Sequence, residues 1–157
     1  MTDRCDEVLI SLRRILRATS MHSSKLRRSV GLSSPQLLVL QAAKDKERPT
    51  ASEIARAVSL SQATITTILT DLEKRGLVLR ERSDEDRRRV HTSLTKQGQA
   101  VLKEAPKPLQ DSFSDRFSAL PSWEQHQILS VLERVALMMD AEDLDAAPLL
   151  SEDVDLR

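Results

Sequence analysis

The chain has 157 residues, enough for one domain or two very small ones that share a core. With 39% apolar and 31% charged residues it can bury a core and coat it, which excludes wholesale disorder. Lysine plus arginine and aspartate plus glutamate both number 24, so net charge names no partner, and any attraction to an anion must come from how charge is distributed.

Residues 4–30 repeat apolar side chains at helical spacing (Val8, Leu9, Leu12, Ile15, Leu16 and Met21), which predicts one stripe on a helix with Arg13, Arg14 and Arg17 off it. Gly31 ends that segment. Ser34 is the expected N-cap of a second helix, with Pro35 at the first helical position, where its missing N–H costs nothing. Leu37, Leu38, Leu40 and Ala43 carry this helix, and Lys44 to Pro49 is a polar connector. Thr50-Ala51-Ser52-Glu53 is a capping box, a hydroxyl at the cap and a carboxylate three residues on. It opens a short helix with Ile54, Ala55 and Val58 inward. After a brief turn, Ser59-Leu60, Ser61 caps the next helix, which has Ile65, Ile68, Leu69 and Leu72 on one face and Gly76 at its stop. Two short helices joined by a tight turn predict a helix-turn-helix.

The period then changes. Leu77 to Arg82 and Arg89 to Leu94 are short and β-rich, with Val90, Thr92 and Leu94 alternating onto one face. Ser83 to Arg88 between them are all polar, which predicts a hairpin with a charged tip. Thr95 caps a helix to about Ala105, and Pro106 and Pro108 break it. The helical pattern resumes through Phe113 and Phe117. Ser122 is the expected cap of a last helix, with Ile128, Leu129, Val131, Leu132, Val135, Met138 and Met139 inward. From Asp140 onward there are seven acidic residues against one arginine, and the end of the chain is expected to be an acidic mobile tail.

Lys74 to Lys96 holds eight basic residues against four acidic ones, so a neutral total hides a basic middle beside the helix-turn-helix. That is the electrostatic footprint expected for duplex DNA. The recognition candidate is the helix 62–75. Its apolar face is taken by core residues, leaving Gln62, Ala63, Thr66, Thr67 and Thr70 outward, with Thr64 and Lys74 as further candidates. Gln pairs bidentately with adenine, and Thr and Ala methyls touch thymine methyls. Ser61 at the helix N-terminus offers a hydroxyl and nearby backbone N–H groups to a phosphate. The tip Asp86-Arg87-Arg88-Arg89 predicts a second contact, because arginine is favoured in a narrow, electronegative minor groove. Asp86 is expected to fix a guanidinium and orient the loop, Arg88 to insert, and Arg87 and Arg89 to lie nearer phosphates, with Arg82 a further DNA-contact candidate.

Thr50-Ala-Ser-Glu-Ile-Ala, Ser61-Gln-Ala-Thr-Ile-Thr, Leu72-Glu-Lys-Arg-Gly-Leu-Val78 and Asp86-Arg-Arg-Arg-Val-His-Thr-Ser-Leu-Thr-Lys-Gln-Gly98 follow one another in the order seen in the MarR family of bacterial transcription regulators, which the chain resembles over most of its length. The resemblance implies a mostly α fold with a small β-hairpin wing, the winged helix-turn-helix. It also implies a homodimer joined through helices from both termini, and a pseudo-palindromic operator, commonly held by a repressor. On that plan 1–32 and 96–145 form the helical dimerisation region, 33–95 the DNA-binding domain and 146–157 the acidic tail. The family's Asp-x-Arg wing pattern falls on Asp86 and Arg88. Effectors in the family often occupy a cleft between dimer helices and DNA lobe, which makes Met21, His22, Lys25 and Arg28 candidates. Met21-His-Ser-Ser-Lys-Leu26, Gly31-Leu-Ser-Ser-Pro-Gln-Leu-Leu38, Pro106-Lys-Pro-Leu-Gln110 and Met138-Met-Asp-Ala-Glu142 are similar to the subgroup that represses ectoine and other compatible-solute genes, which implies a response to osmotic stress.

Competing classes stay in view. A winged helix can serve protein interaction without touching DNA. Cys5 could sense peroxide, as N-terminal cysteines of some family members do, but those sensors are helped by tyrosines and this chain has none. One cysteine cannot form an internal disulfide, no apolar run approaches the ~20 residues of a membrane span, and Met1 to Cys5 lacks a signal-peptide plan, so a cytoplasmic protein is expected. Trp123, Phe113 and Phe117 are too few aromatics for single-strand stacking. Three glycines leave no phosphate-cradling loop, and His22, His91 and His126 are too dispersed for a metal site. No Ser/His/Asp order reads as a triad, so neither cofactor nor enzyme activity is expected.

Overall fold

The computed structural model describes residues 3–141, which form two compact units dividing between Pro106 and Lys107. Each is taken by itself.

The first unit opens with α1 (Arg4–Val30). Asp3 caps its start, and Gly31 closes it at φ 67°, a left-handed conformation that a residue without Cβ adopts freely. One stripe runs the length of α1. Its C-terminal part, Thr19, Ser23 and Leu26, is buried, whereas Val8 and Ile15 on the same stripe remain exposed. Met21 departs from the predicted stripe: at 3.6 residues per turn it lies about 220° round the helix from Val8, and it is 63% exposed.

The second helix, α2 (Ser34–Asp45), starts one residue earlier in its capping than expected. Ser33, not Ser34, is the N-cap: its Oγ accepts from Gln36 N, and Gln36 Oε1 accepts from Ser33 N at 2.9 Å. Of the two adjacent serines, only Ser33 has a glutamine three residues on. The capping box at Thr50 opens α3 (Ala51–Val58) as predicted, and Ser59 ends it in the left-handed region, which makes the tight turn. Ser61 caps α4 (Gln62–Lys74), and Gly76 follows the helix at φ 70°. These helices close on Leu37, Leu40, Ile54, Ile65, Leu69 and Leu72, all buried.

Strands β1 (Val78–Arg82) and β2 (Val90–Leu94) pair antiparallel, Val78 opposite Leu94 and Arg82 opposite Val90. The residues before α3 stitch onto this hairpin. Thr92 N donates to Pro49 O at 2.8 Å, Thr50 bridges His91, and His91 Nδ1 lies 2.6 Å from Arg48 O. The base of the wing is therefore fixed to the N-terminus of α3. Thr95 caps α5 (Lys96–Glu104) and joins it to the exit of α4, its hydroxyl donating to Gly76 O at 2.6 Å and accepting from Gly98 N at 3.0 Å.

The second unit holds α6 (Leu109–Ser118), which follows the expected proline break, and α7 (Ser122–Met138). Phe113 and Phe117 stack with ring centroids 5.4 Å apart. Ser122 is not the cap of α7. It is the first helical residue, Pro121 precedes it, and its Oγ sits 3.3 Å from His126 Nδ1. Nor is the predicted apolar face inward within the chain: Leu129, Val131, Leu132, Met138 and Met139 are exposed, and α7 has no buried residue. Two short helices are too little structure to cover a whole face. The predicted acidic tail lies outside the described residues.

Candidate nucleic-acid interface

Three elements of the first unit converge on a cleft of about 480 Å3. The start of α3 supplies Thr50, Ser52, Glu53 and Arg56; the first turns of α4 supply Gln62 and Thr66; the wing supplies Arg80, Arg88 and Arg89. Four of the residues predicted from sequence therefore meet: Gln62, Thr66, Arg88 and Arg89. Pairing of the segment before α3 with β2 brings them together, because it sets the wing beside the helix-turn-helix.

Ser61 caps α4, its Oγ accepting from Thr64 N at 3.1 Å and lying 2.8 Å from Thr64 Oγ1. Ala63 and Thr67 are exposed along the outer face of α4, and Thr70 is half-buried there. The hydroxyls of Thr66, Thr67 and Thr70 donate to the carbonyls of Gln62, Ala63 and Thr66, at 2.8, 3.2 and 2.8 Å. Their donor protons are thus spent inside the helix, which leaves methyls and oxygen lone pairs for a partner. Lys74 is exposed at the opposite end of α4, about 18 Å from Gln62 at 1.5 Å per residue.

The wing differs from expectation in one place. Asp86 Oδ1 takes the backbone N–H of Arg88 at 3.0 Å instead of a guanidinium, and Asp86 O accepts from Arg89 N at 2.9 Å. The carboxylate shapes the turn through the backbone, because an aspartate side chain reaches the N–H two residues on, as in an Asx turn. Arg87 and Arg88 are exposed, and neither guanidinium has a partner among the described residues. Arg82 is not among the residues that line the cleft of Gln62 and Thr66. It lines a separate cleft of about 410 Å3 with Arg48, Asp84, Glu85 and His91, away from Gln62.

Sequence reasoning missed Arg56 and gave Arg80 no role beyond its charge. Arg56 follows Ser52 by one helical turn and donates from Nε to Ser52 O at 3.5 Å. Arg80 Nη1 lies 3.9 Å from Glu73 Oε2, which ties the root of the wing to α4. The cleft thus gathers four arginines around one carboxylate. Glu53 Oε2 accepts from Thr50 N at 2.7 Å and Thr50 Oγ1 at 2.9 Å, and Glu53 Oε1 stands 3.6 Å from Arg89 Nη2. The bonds from Thr50 hold the Glu53 carboxyl below its ordinary pKa.

Of the effector candidates, Met21, Lys25 and Arg28 are exposed on α1 and His22 is half-buried; Arg28 Nε donates to Ser24 O. Cys5 is an exposed free thiol. Among the described residues no group of three or more His, Cys, Asp or Glu could hold a metal ion, and no helix is long and apolar enough to cross a membrane.

A helix-turn-helix followed by a two-stranded wing with an arginine tip defines the winged-helix class. The sequence pattern of the MarR family matches residues 32–90. The transcriptional regulator HosA of Escherichia coli O111:H- is 33% identical over 110 residues, 70% of this chain and 79% of HosA. The transcriptional repressor MprA of Escherichia coli K12 is 28% identical over 128 residues, 80% of this chain and 73% of MprA. Among solved structures, the transcriptional regulator BldR from Sulfolobus solfataricus superposes with a TM-score of 0.55 at 26% identity, covering 87% of this chain and 99% of BldR. The chain belongs to the MarR family of transcriptional regulators.

Proposed function

We propose that the chain acts as a homodimeric repressor that grips a duplex operator, α4 in the major groove and Arg88 at the wing tip in the minor groove. One observation carries the reading: the unpaired Arg88 guanidinium stands over the same cleft as Gln62 and Thr66. A cationic tip beside a short polar helix face suits a ligand that offers phosphates and base edges together. The likeness to a repressor, MprA, supports the sign of regulation. The motifs Met21–Leu26 and Gly31–Leu38 support compatible-solute genes as targets, with a small-molecule effector near Met21, His22, Lys25 and Arg28 and the protein working in the cytoplasm. The uncovered apolar stripes of α1 and α7 support the homodimer.

Gel-shift titration against the chain's own upstream region and against a compatible-solute promoter, at several salt concentrations, tests this. Affinity falls steeply with salt. Arg88→Ala weakens specific and random duplexes alike and lowers the log–log salt slope by about one. Gln62→Ala removes preference worth about 1–3 kcal/mol at a contacted base pair. A wild-type protein indifferent to duplex even at low salt would instead make the fold a protein-interaction module.

A further inference from the structure

The C-terminal end of α4 is tied to the corner between α1 and α2 by a compact set of polar bonds, none of which faces the cleft. Gln36 is their centre. Its Oε1 accepts from Ser33 N at 2.9 Å, and its Nε2 donates to Asp71 Oδ2 on α4 at 2.8 Å. Arg75, the C-cap of α4, reaches back in the same direction. Its Nη2 donates to Gly31 O at 2.9 Å and its Nη1 to Gln36 Oε1 at 3.5 Å. Gly31 is at φ 67°, and a Cβ there would only touch Arg75 Nη2 at 3.4 Å, so glycine serves the backbone turn rather than the arm. Each bond alone is an ordinary surface contact. Their joint effect is geometric, because they join the carbonyl that ends α1, the cap that begins α2 and two side chains one turn apart on α4.

We propose that Gln36, Asp71 and Arg75 form a lock that sets the angle of α4 against α1 and so fixes the spacing of the two half-sites that the protein accepts. The proposal rests on the dimeric DNA-binding reading above. The lock sits at one end of α4 and Gln62 at the other, about 18 Å away, so a tilt of about 10° at the lock displaces Gln62 by about 3 Å. One base-pair step is about 3.4 Å, so that tilt moves the reading end by about one base pair. If α1 carries the dimer contact, the separation of the two reading helices depends on this angle in both protomers. The three residues are positioning residues that touch no DNA.

The test uses the full chain and a duplex enriched from a random library on the wild-type protein, with its central spacer then changed by one and two base pairs. Wild type loses about tenfold or more in affinity for a one-base-pair change, since that also rotates one half-site by about a tenth of a turn. Gln36→Glu keeps an acceptor for Ser33 N but sets two carboxylates against each other, and Arg75→Ala frees Gly31 O. Both variants bind the preferred spacing nearly as well as wild type and lose most of the spacing penalty. Gln36→Glu combined with Asp71→Asn reverses donor and acceptor, and the penalty returns. Variants that keep the wild-type penalty overturn the lock. So does a uniform loss at every spacing, which marks a merely structural role. Wild-type protein that enriches no duplex overturns both the lock and the DNA-binding reading, whereas wild type with a spacing penalty that the variants share overturns the lock alone.

Discussion

Glu53 shows how one side chain serves fold and site together. Its Oε2 closes the capping box on Thr50, while Oε1 faces Arg89 across the cleft. The bonds from Thr50, with Arg89 and Lys46 adding a smaller attraction, lower its pKa, so the charged carboxylate favours the folded state. That contribution is complete above the ordinary glutamate value and is lost as pH falls through the lowered folded value. Denaturant midpoints taken from about pH 7 to about pH 3, across the ordinary glutamate range, therefore fall more steeply for wild type than for Glu53→Gln. Parallel curves for the two proteins would show that the carboxylate adds nothing to the cap. The capping box itself was legible in the sequence, because its partners lie three residues apart. The pairing of Glu53 with Arg89 was not, being 36 residues distant in the chain. Asp86 was legible as a shaper of the wing but not in its choice of a backbone N–H, since sequence gives proximity and not direction.

At the scale of elements, the periodicities and stop signals located every helix and both strands of the described residues. What failed were single caps. Ser33 and Ser34 are chemically alike, and only the glutamine at Gln36 separates them; Ser122 has no partner that would make it a cap. Packing between elements was less legible still. Gly98 looks like an unfavourable residue near the start of α5, yet a Cβ there would stand 2.1 Å from Leu77 O and 3.1 Å from Leu94 Cδ2. Glycine is required because α5 lies directly on the backbone that leaves α4 for the wing. Gly98→Ala forces α5 and the root of the wing apart and destabilises the protein by about 2–3 kcal/mol. Urea unfolding followed by circular dichroism measures this, and a loss below about 0.5 kcal/mol would mean that α5 shifts aside without resistance.

At the scale of the whole molecule, an apolar stripe in a sequence does not say whose core it belongs to. The stripe of α1 joins the chain's own core at Leu26 and leaves it well before Val8, where Leu9, Ile15 and Leu16 are also exposed. The face of α7 is open along Leu129, Leu132 and Met139. Exposure of this extent on helices at opposite ends of a chain is larger than a monomer in water usually keeps, and a second copy of the same chain is the partner always at hand. In the homodimer proposed above, Ile15→Glu puts a charge on the uncovered part of α1 without replacing a buried residue, so the helical content is expected to stay the same while that dimer dissociates. Loss of the second lobe removes the effective concentration that bivalent binding supplies, and affinity for a two-site operator falls by about 10²–10⁴-fold, while a single half-site is bound as before. Sedimentation and gel shift on the same samples check the two halves together: wild type that is already monomeric at micromolar concentration would leave the stripes unexplained, and a monomeric variant with full operator affinity would show that one lobe suffices.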